Sequence, residues 1–174
     1  MSWCLRIPEA LLRAIRADLS RPHAFAAERV GFVEAALGNK DAEEKLILAS
    51  AYVPVPDAEY IDDPTVGARI GGAPIRRAVE RALTGRTGVF HVHAHEHGGR
   101  PRFSGIDLTE IPPIVRSLRV AGRTQPHGAL LLSRDAAAAM VWLPGSDAPN
   151  ISGRITIVGR PMRFLENASD HGRV

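Results

Sequence analysis

Cysteine is nearly missing from this 174-residue chain: Cys4 is the only one. A disulfide within the chain is thereby excluded, and so is a zinc site built from thiolates. Any metal has to be held by histidine and carboxylate. Aromatic residues are also scarce, at 5%. No block of Lys or Arg is interleaved with them, so the stacking platforms and basic stripes of nucleic-acid binders are lacking. Nor is there a long apolar run. Residues 3–7 are interrupted by Arg6 and stopped by Pro8, too short for a signal-peptide core or a membrane span. The expectation is a cytoplasmic, reducing setting without membrane contact. With 22 basic and 19 acidic residues (formal net charge +3), neither sign dominates.

Apolar residues make up 45% of the chain, enough for one buried core. The length predicts a single domain over 1–166 and a frayed polar tail over 167–174. Residues 3–7 read as a strand. Pro8 suits a first helical turn, and Leu11, Leu12, Ile15 and Leu19 recur at helical spacing, predicting a helix over 8–20. Strands are predicted at 28–37 and 46–55 around a polar turn at 39–45. Residues 57–72 read as a loop, a candidate flap to which Gly67, Gly71 and Gly72 would give freedom.

Pro74 opens a second helix, with Ile75, Ala78, Val79, Ala82 and Leu83 on one face. A strand follows at 87–93. A third helix over 104–118 is expected to kink or break at Pro112-Pro113. Further strands are predicted at 128–133, 137–143, 155–158 and 162–165. The order predicts an α+β (mixed α/β) domain with a mostly antiparallel central sheet flanked by helices.

The chemistry concentrates between Gly88 and Asp107. His91, His93, His95 and His97 stand at strict two-residue spacing. Alternate side chains of a strand share a face, so two neighbours, His91 with His93 or His93 with His95, can converge on one ion. Two neutral imidazoles need a carboxylate and a water to complete an open tetrahedral zinc site. Asp107 is the candidate carboxylate. It stands three residues after Ser104, the spacing of a helix N-cap and its third residue. Capping alone explains such a pair; the histidines upstream add the metal.

A glutamate, then His-x-His, a short loop and Ser-x-x-Asp together resemble the JAMM motif of the JAB/MPN zinc metallopeptidases. Gly88-Val89-Phe90-His91-Val92-His93 is similar to the family's glycine, apolar pair and His-x-His. Phe103-Ser104-Gly105-Ile106-Asp107 is similar to its apolar-Ser-x-x-Asp. Glu28-Arg29-Val30-Gly31 resembles its Glu-x-x-Gly on an early strand; Glu34 is second choice because it lacks the following glycine. The resemblance spans about residues 3–143. One departure concerns the loop before the serine, usually seven residues long. Pairing His91 with His93 leaves ten, and pairing His93 with His95 leaves eight. The glycine and apolar pair favour the first register, the loop length the second.

The resemblance implies a cytidine-deaminase-like MPN sandwich and one catalytic Zn2+. His91, His93 and Asp107 would be its ligands, with His93, His95 and Asp107 as the alternative register. Glu28 would carry the proton and Ser104 would stabilise the oxyanion. It further implies a peptidase or isopeptidase that cuts after the C-terminal tail of a ubiquitin-like protein, in conjugates or precursors. Compact bacterial members work beside E1- and E2-like proteins, in some cases in antiphage systems. The alternative is a non-catalytic MPN scaffold, which predicts a missing ligand or glutamate. A different metallohydrolase would want a basic groove or a phosphate-binding loop, and the glycine-rich 67–72 does not follow a clear strand.

Overall fold

The computed structural model describes residues 2–38, 42–159 and 163–165. Strand β1 (Ser2–Pro8) buries Trp3, Leu5 and Ile7. Pro8 ends it and leads directly into helix α1 (Glu9–Leu19), which buries Leu12, Ile15 and Leu19 on one stripe. Strand β2 (Val30–Leu37) turns back as β3 (Glu44–Pro54). A single 3-10 turn at Asp57–Glu59 and a loop precede helix α2 (Gly72–Thr84). Then come β4 (Gly88–Ala94), helix α3 (Gly105–Ala121), β5 (His127–Leu132), β6 (Ala137–Trp142), β7 (Gly153–Val158) and β8 (Arg163–Leu165).

The strands form one sheet in the order β6-β5-β4-β2-β3-β1-β7-β8. Most pairings are antiparallel, but β1 runs parallel to both β3 and β7, and β4 runs parallel to β5. Parallel neighbours need a crossover connection, and α3 supplies it between β4 and β5. Gly88 opens β4 where a β-carbon would come within 1.6 Å of the Pro126 carbonyl oxygen; only hydrogen fits there.

Helix α1 covers one face of the sheet, packing with Trp3, Ile7, Val33, Ile47, Phe90 and Leu130. Helices α2 and α3 cover the other, where Ala78, Ala82 and Leu118 pack with Val30, Phe32 and Val89. Alternation along β4 therefore sends Phe90 and Val92 toward α1, and His91 and His93 toward the α2/α3 side.

Two expectations about the helices change. Helix α3 runs unbroken through Pro112 and Pro113 to Ala121. Burial of Ile111, Val115 and Leu118 carries it across the two missing amide donors, while Thr109 and Ser117 hydroxyls donate to the Gly105 and Pro113 carbonyls. Leu83 was expected on the buried face of α2 but is 67% exposed. The inward stripe follows Pro74, Ala78 and Ala82, and Leu83 lies one helical step off it. The tail over 167–174 lies outside the described residues, as do Asn39, Lys40 and Asp41 of the expected turn. Among the described residues no helix is long and apolar enough to cross a membrane.

Candidate metal centre

β4 ends at Ala94, so the histidine series straddles the end of a strand. His91 and His93 lie within it and are buried; His95 is just past it and half-buried; His97 is exposed. The rings follow one another along one face, tilted or edge-to-face, with centroids 5.5 Å apart for His91–His93 and 5.2 Å for His93–His95. His93 is 1% exposed, yet neither of its ring nitrogens has a hydrogen-bond partner among the described residues. A buried polar atom left in that state costs about 1–3 kcal/mol.

Asp107 reaches this ring from the first turn of α3. Ser104 and Asp107 form a full capping box: the Asp107 amide donates to Ser104 Oγ at 3.1 Å, and the Ser104 amide donates to Asp107 Oδ2 at 2.7 Å. The box fixes the carboxylate, and its second oxygen, Oδ1, lies 3.2 Å from His93 Nε2. Asp107 Oδ2 is 3.9 Å from His95 Nε2. Capping and the approach of Asp107 to His93 are thus one arrangement.

Glu28 reaches the neighbouring ring. Its Oε1 lies 3.6 Å from His95 Nε2. Glu28, His93 and His95 each offer a ligand atom, all within 4.8 Å of one another. Glu28 was expected on a strand; it lies two residues before β2, with its amide donating to the Gly67 carbonyl at 2.9 Å. Glu34, the second choice, is far from these histidines in register. It faces Arg81 of α2, which donates to it at 2.6 Å.

Electrostatics favour neutral rings at His91 and His95 and an ionised acid at Asp107. Burial pushes His95 below the ordinary histidine range, against the upward pull of Glu28. Burial, helped by His93, takes His91 down to about 3. Burial pushes the Asp107 carboxyl up, but the His93 ring and Ser104 outweigh it and hold the group far below the usual carboxylate range. Neutral imidazole and carboxylate are the protonation states a metal requires.

Zinc with tetrahedral N and O ligands at about 2.0–2.1 Å sets the ligand atoms about 3.3–3.4 Å apart. The 3.2 Å and 3.9 Å separations from Asp107 to His93 and His95 bracket that value. The buried, unpartnered Nε2 of His93 is the group such an ion would satisfy. Glu28, His93 and His95 form a group able to hold a metal ion, with Asp107 beside it. His91 has no carboxylate within ion-pair distance among the described residues; it packs edge-on against Phe32, and its Nδ1 is unpartnered.

These side chains and Ser104 line a cleft of about 730 Å³ between the loop over 61–70 and the first turns of α3. Apolar residues of the loop, α2 and α3, including Ile70, Ile75, Ile106 and Ile111, share it with Asp63 and Glu110. The loop is braced. Tyr60 bridges Ile70, the Ile61 amide donates to the Arg69 carbonyl at 2.8 Å, and Asp63 accepts hydrogen bonds from Thr65 and Arg69. Its glycines avoid the left-handed region, which among the described residues only Gly99 and Gly145 adopt. Gly67 serves close approach to Glu28 instead, a role that composition alone did not reveal.

Compared with family models and with curated proteins, the chain matches none.

Proposed function

We propose that this protein is a zinc-dependent peptidase of the JAB/MPN (JAMM) type, cutting after the C-terminal tail of a ubiquitin-like protein. The observation that carries the proposal is the buried Nε2 of His93, unpartnered and 3.2 Å from the carboxylate of Asp107, with His95 and Glu28 alongside. The ligands are His93, His95 and Asp107. Contacts from both carboxylates to His95, and the lack of one to His91, favour this register over the pair His91 and His93.

Zinc bound there supplies Lewis acidity, lowering the pKa of a water toward about 7 and polarising the scissile carbonyl. Glu28 stands beside His95 in the lining of the cleft and accepts the proton of the attacking water. It then delivers that proton to the leaving amine. Ser104 Oγ accepts the Asp107 amide, which leaves its own proton free to donate to the oxyanion that develops on the scissile carbonyl.

An extended tail lying between the loop over 61–70 and α3 would meet apolar walls and backbone from the loop, a mode of recognition that reads main chain before side chain. A three-layer α+β fold with a mostly antiparallel sheet is compatible with the MPN architecture.

The test is incubation with a ubiquitin-like fusion protein, beside a Glu28→Gln variant and a chelator-treated sample. Cleavage is expected only in the untreated wild type. Cleavage that survives both treatments rejects the mechanism.

A further inference from the structure

Gly67 packs against the side chain of Glu28. A β-carbon at position 67 would lie 2.7 Å from both Cδ and Oε2 of Glu28 and 3.1 Å from its Cγ. The Gly67 carbonyl also accepts the Glu28 amide at 2.9 Å. One loop residue therefore constrains Glu28 through backbone and side chain together. The surrounding loop is held by the Tyr60–Ile70 bridge and by the Asp63–Thr65–Arg69 hydrogen bonds, so Gly67 cannot simply back away.

We infer that Gly67 is a positioning residue: the space left by its missing side chain is the seat that keeps the Glu28 carboxylate beside His95. This rests on the reading of Glu28 as proton carrier. The atoms a new methyl group would meet belong to the far end of a flexible side chain. Gly67→Ala therefore leaves the backbone in place and turns the carboxylate aside. Misplacing a reacting group by about 1 Å costs about 100-fold in rate. The three heavy atoms nearest the added methyl all belong to Glu28, so zinc affinity is expected to stay within a few-fold while His93, His95 and Asp107 keep their places.

Gly72→Ala is the control. It lies a few residues on, at the start of α2, where a β-carbon would meet nothing within 4 Å. The experiment follows the side-chain carboxylate 13C resonance of Glu28, assigned with Glu28→Gln, in zinc-loaded wild type and both glycine variants. Cleavage of a ubiquitin-like fusion is measured in parallel. The resonance is expected to move in Gly67→Ala and to stay in Gly72→Ala. For Gly67→Ala, kcat falls about 100-fold while KM and Tm hold. A Glu28 resonance unmoved by Gly67→Ala, or moved equally by Gly72→Ala, overturns the inference. If the resonance moves but wild type cleaves no fusion, the positioning role stands and the proposed activity falls.

Discussion

His93 Nε2 and Asp107 Oδ1 stand 3.2 Å apart, yet the histidine nitrogen makes no hydrogen bond. Two groups so close, His93 buried and Asp107 half-buried and held ionised, share the need for a cation. Removing the ring removes the buried nitrogen that faces Asp107. In His93→Ala, zinc affinity should fall at least about 100-fold, the scale reached already when outer-shell partners are lost, and peptidase turnover should vanish with it. Competition titration against a chromophoric chelator measures the first.

The two registers separate by mutation. His95→Ala should weaken zinc as strongly as His93→Ala, because both Glu28 and Asp107 approach His95. His91→Gln should hold zinc within a few-fold, since no described carboxylate contacts that ring. The same chelator titration decides it, and the reverse order of affinities would restore His91 and His93 as the pair.

Sequence spacing left this choice open for a physical reason. Residues 91, 93, 95 and 97 share one face of an extended strand, and nothing in that period marks where the strand ends. The end at Ala94 leaves His95 half-buried just past the strand while His91 is buried within it, edge-on against Phe32. Much else was legible. Phe90 and Val92 facing α1, the Ser104–Asp107 cap and the helical stripe Leu12–Ile15–Leu19 all follow from local periodicity and cap chemistry. The parallel placement of β1 between β3 and β7 and the seating of Glu28 against Gly67 come from long-range packing. A one-dimensional pattern does not encode either.

Ser104 has two roles that substitution can part. Glycine replaces a serine N-cap at a cost of a few tenths of a kcal/mol, whereas alanine costs about 1 kcal/mol. Ser104→Gly should therefore keep stability close to wild type while kcat drops about 100-fold, the loss typical of a missing oxyanion donor. Urea denaturation and steady-state kinetics on the same preparation read the two effects. Unchanged kcat would reduce Ser104 to a cap.

His127 should make the fold acid-sensitive. It is buried; its Nδ1 accepts the Val89 amide at 3.1 Å and its Nε2 donates to the Gly122 carbonyl at 2.8 Å. Those bonds require the neutral ring, and burial lowers its pKa in the folded state. Below about pH 6.5, the unfolded-state value, the unfolded chain binds the additional proton and stability declines until pH passes the folded value. Above it the contribution is fully present. Urea midpoints between pH 8 and 5 should fall less steeply in His127→Gln than in wild type. That variant keeps a donor for Gly122 and loses about 1–3 kcal/mol at neutral pH through the unpaired Val89 amide. Equal slopes would contradict the assignment.

The most direct test is anomalous diffraction at the zinc edge from crystals of the protein grown with equimolar zinc. A single peak bonded to the Nε2 atoms of His93 and His95 and to a carboxylate oxygen of Asp107 is the predicted result. A peak elsewhere on the chain, or full-length ordered density at these three side chains with no zinc among them, would contradict the account.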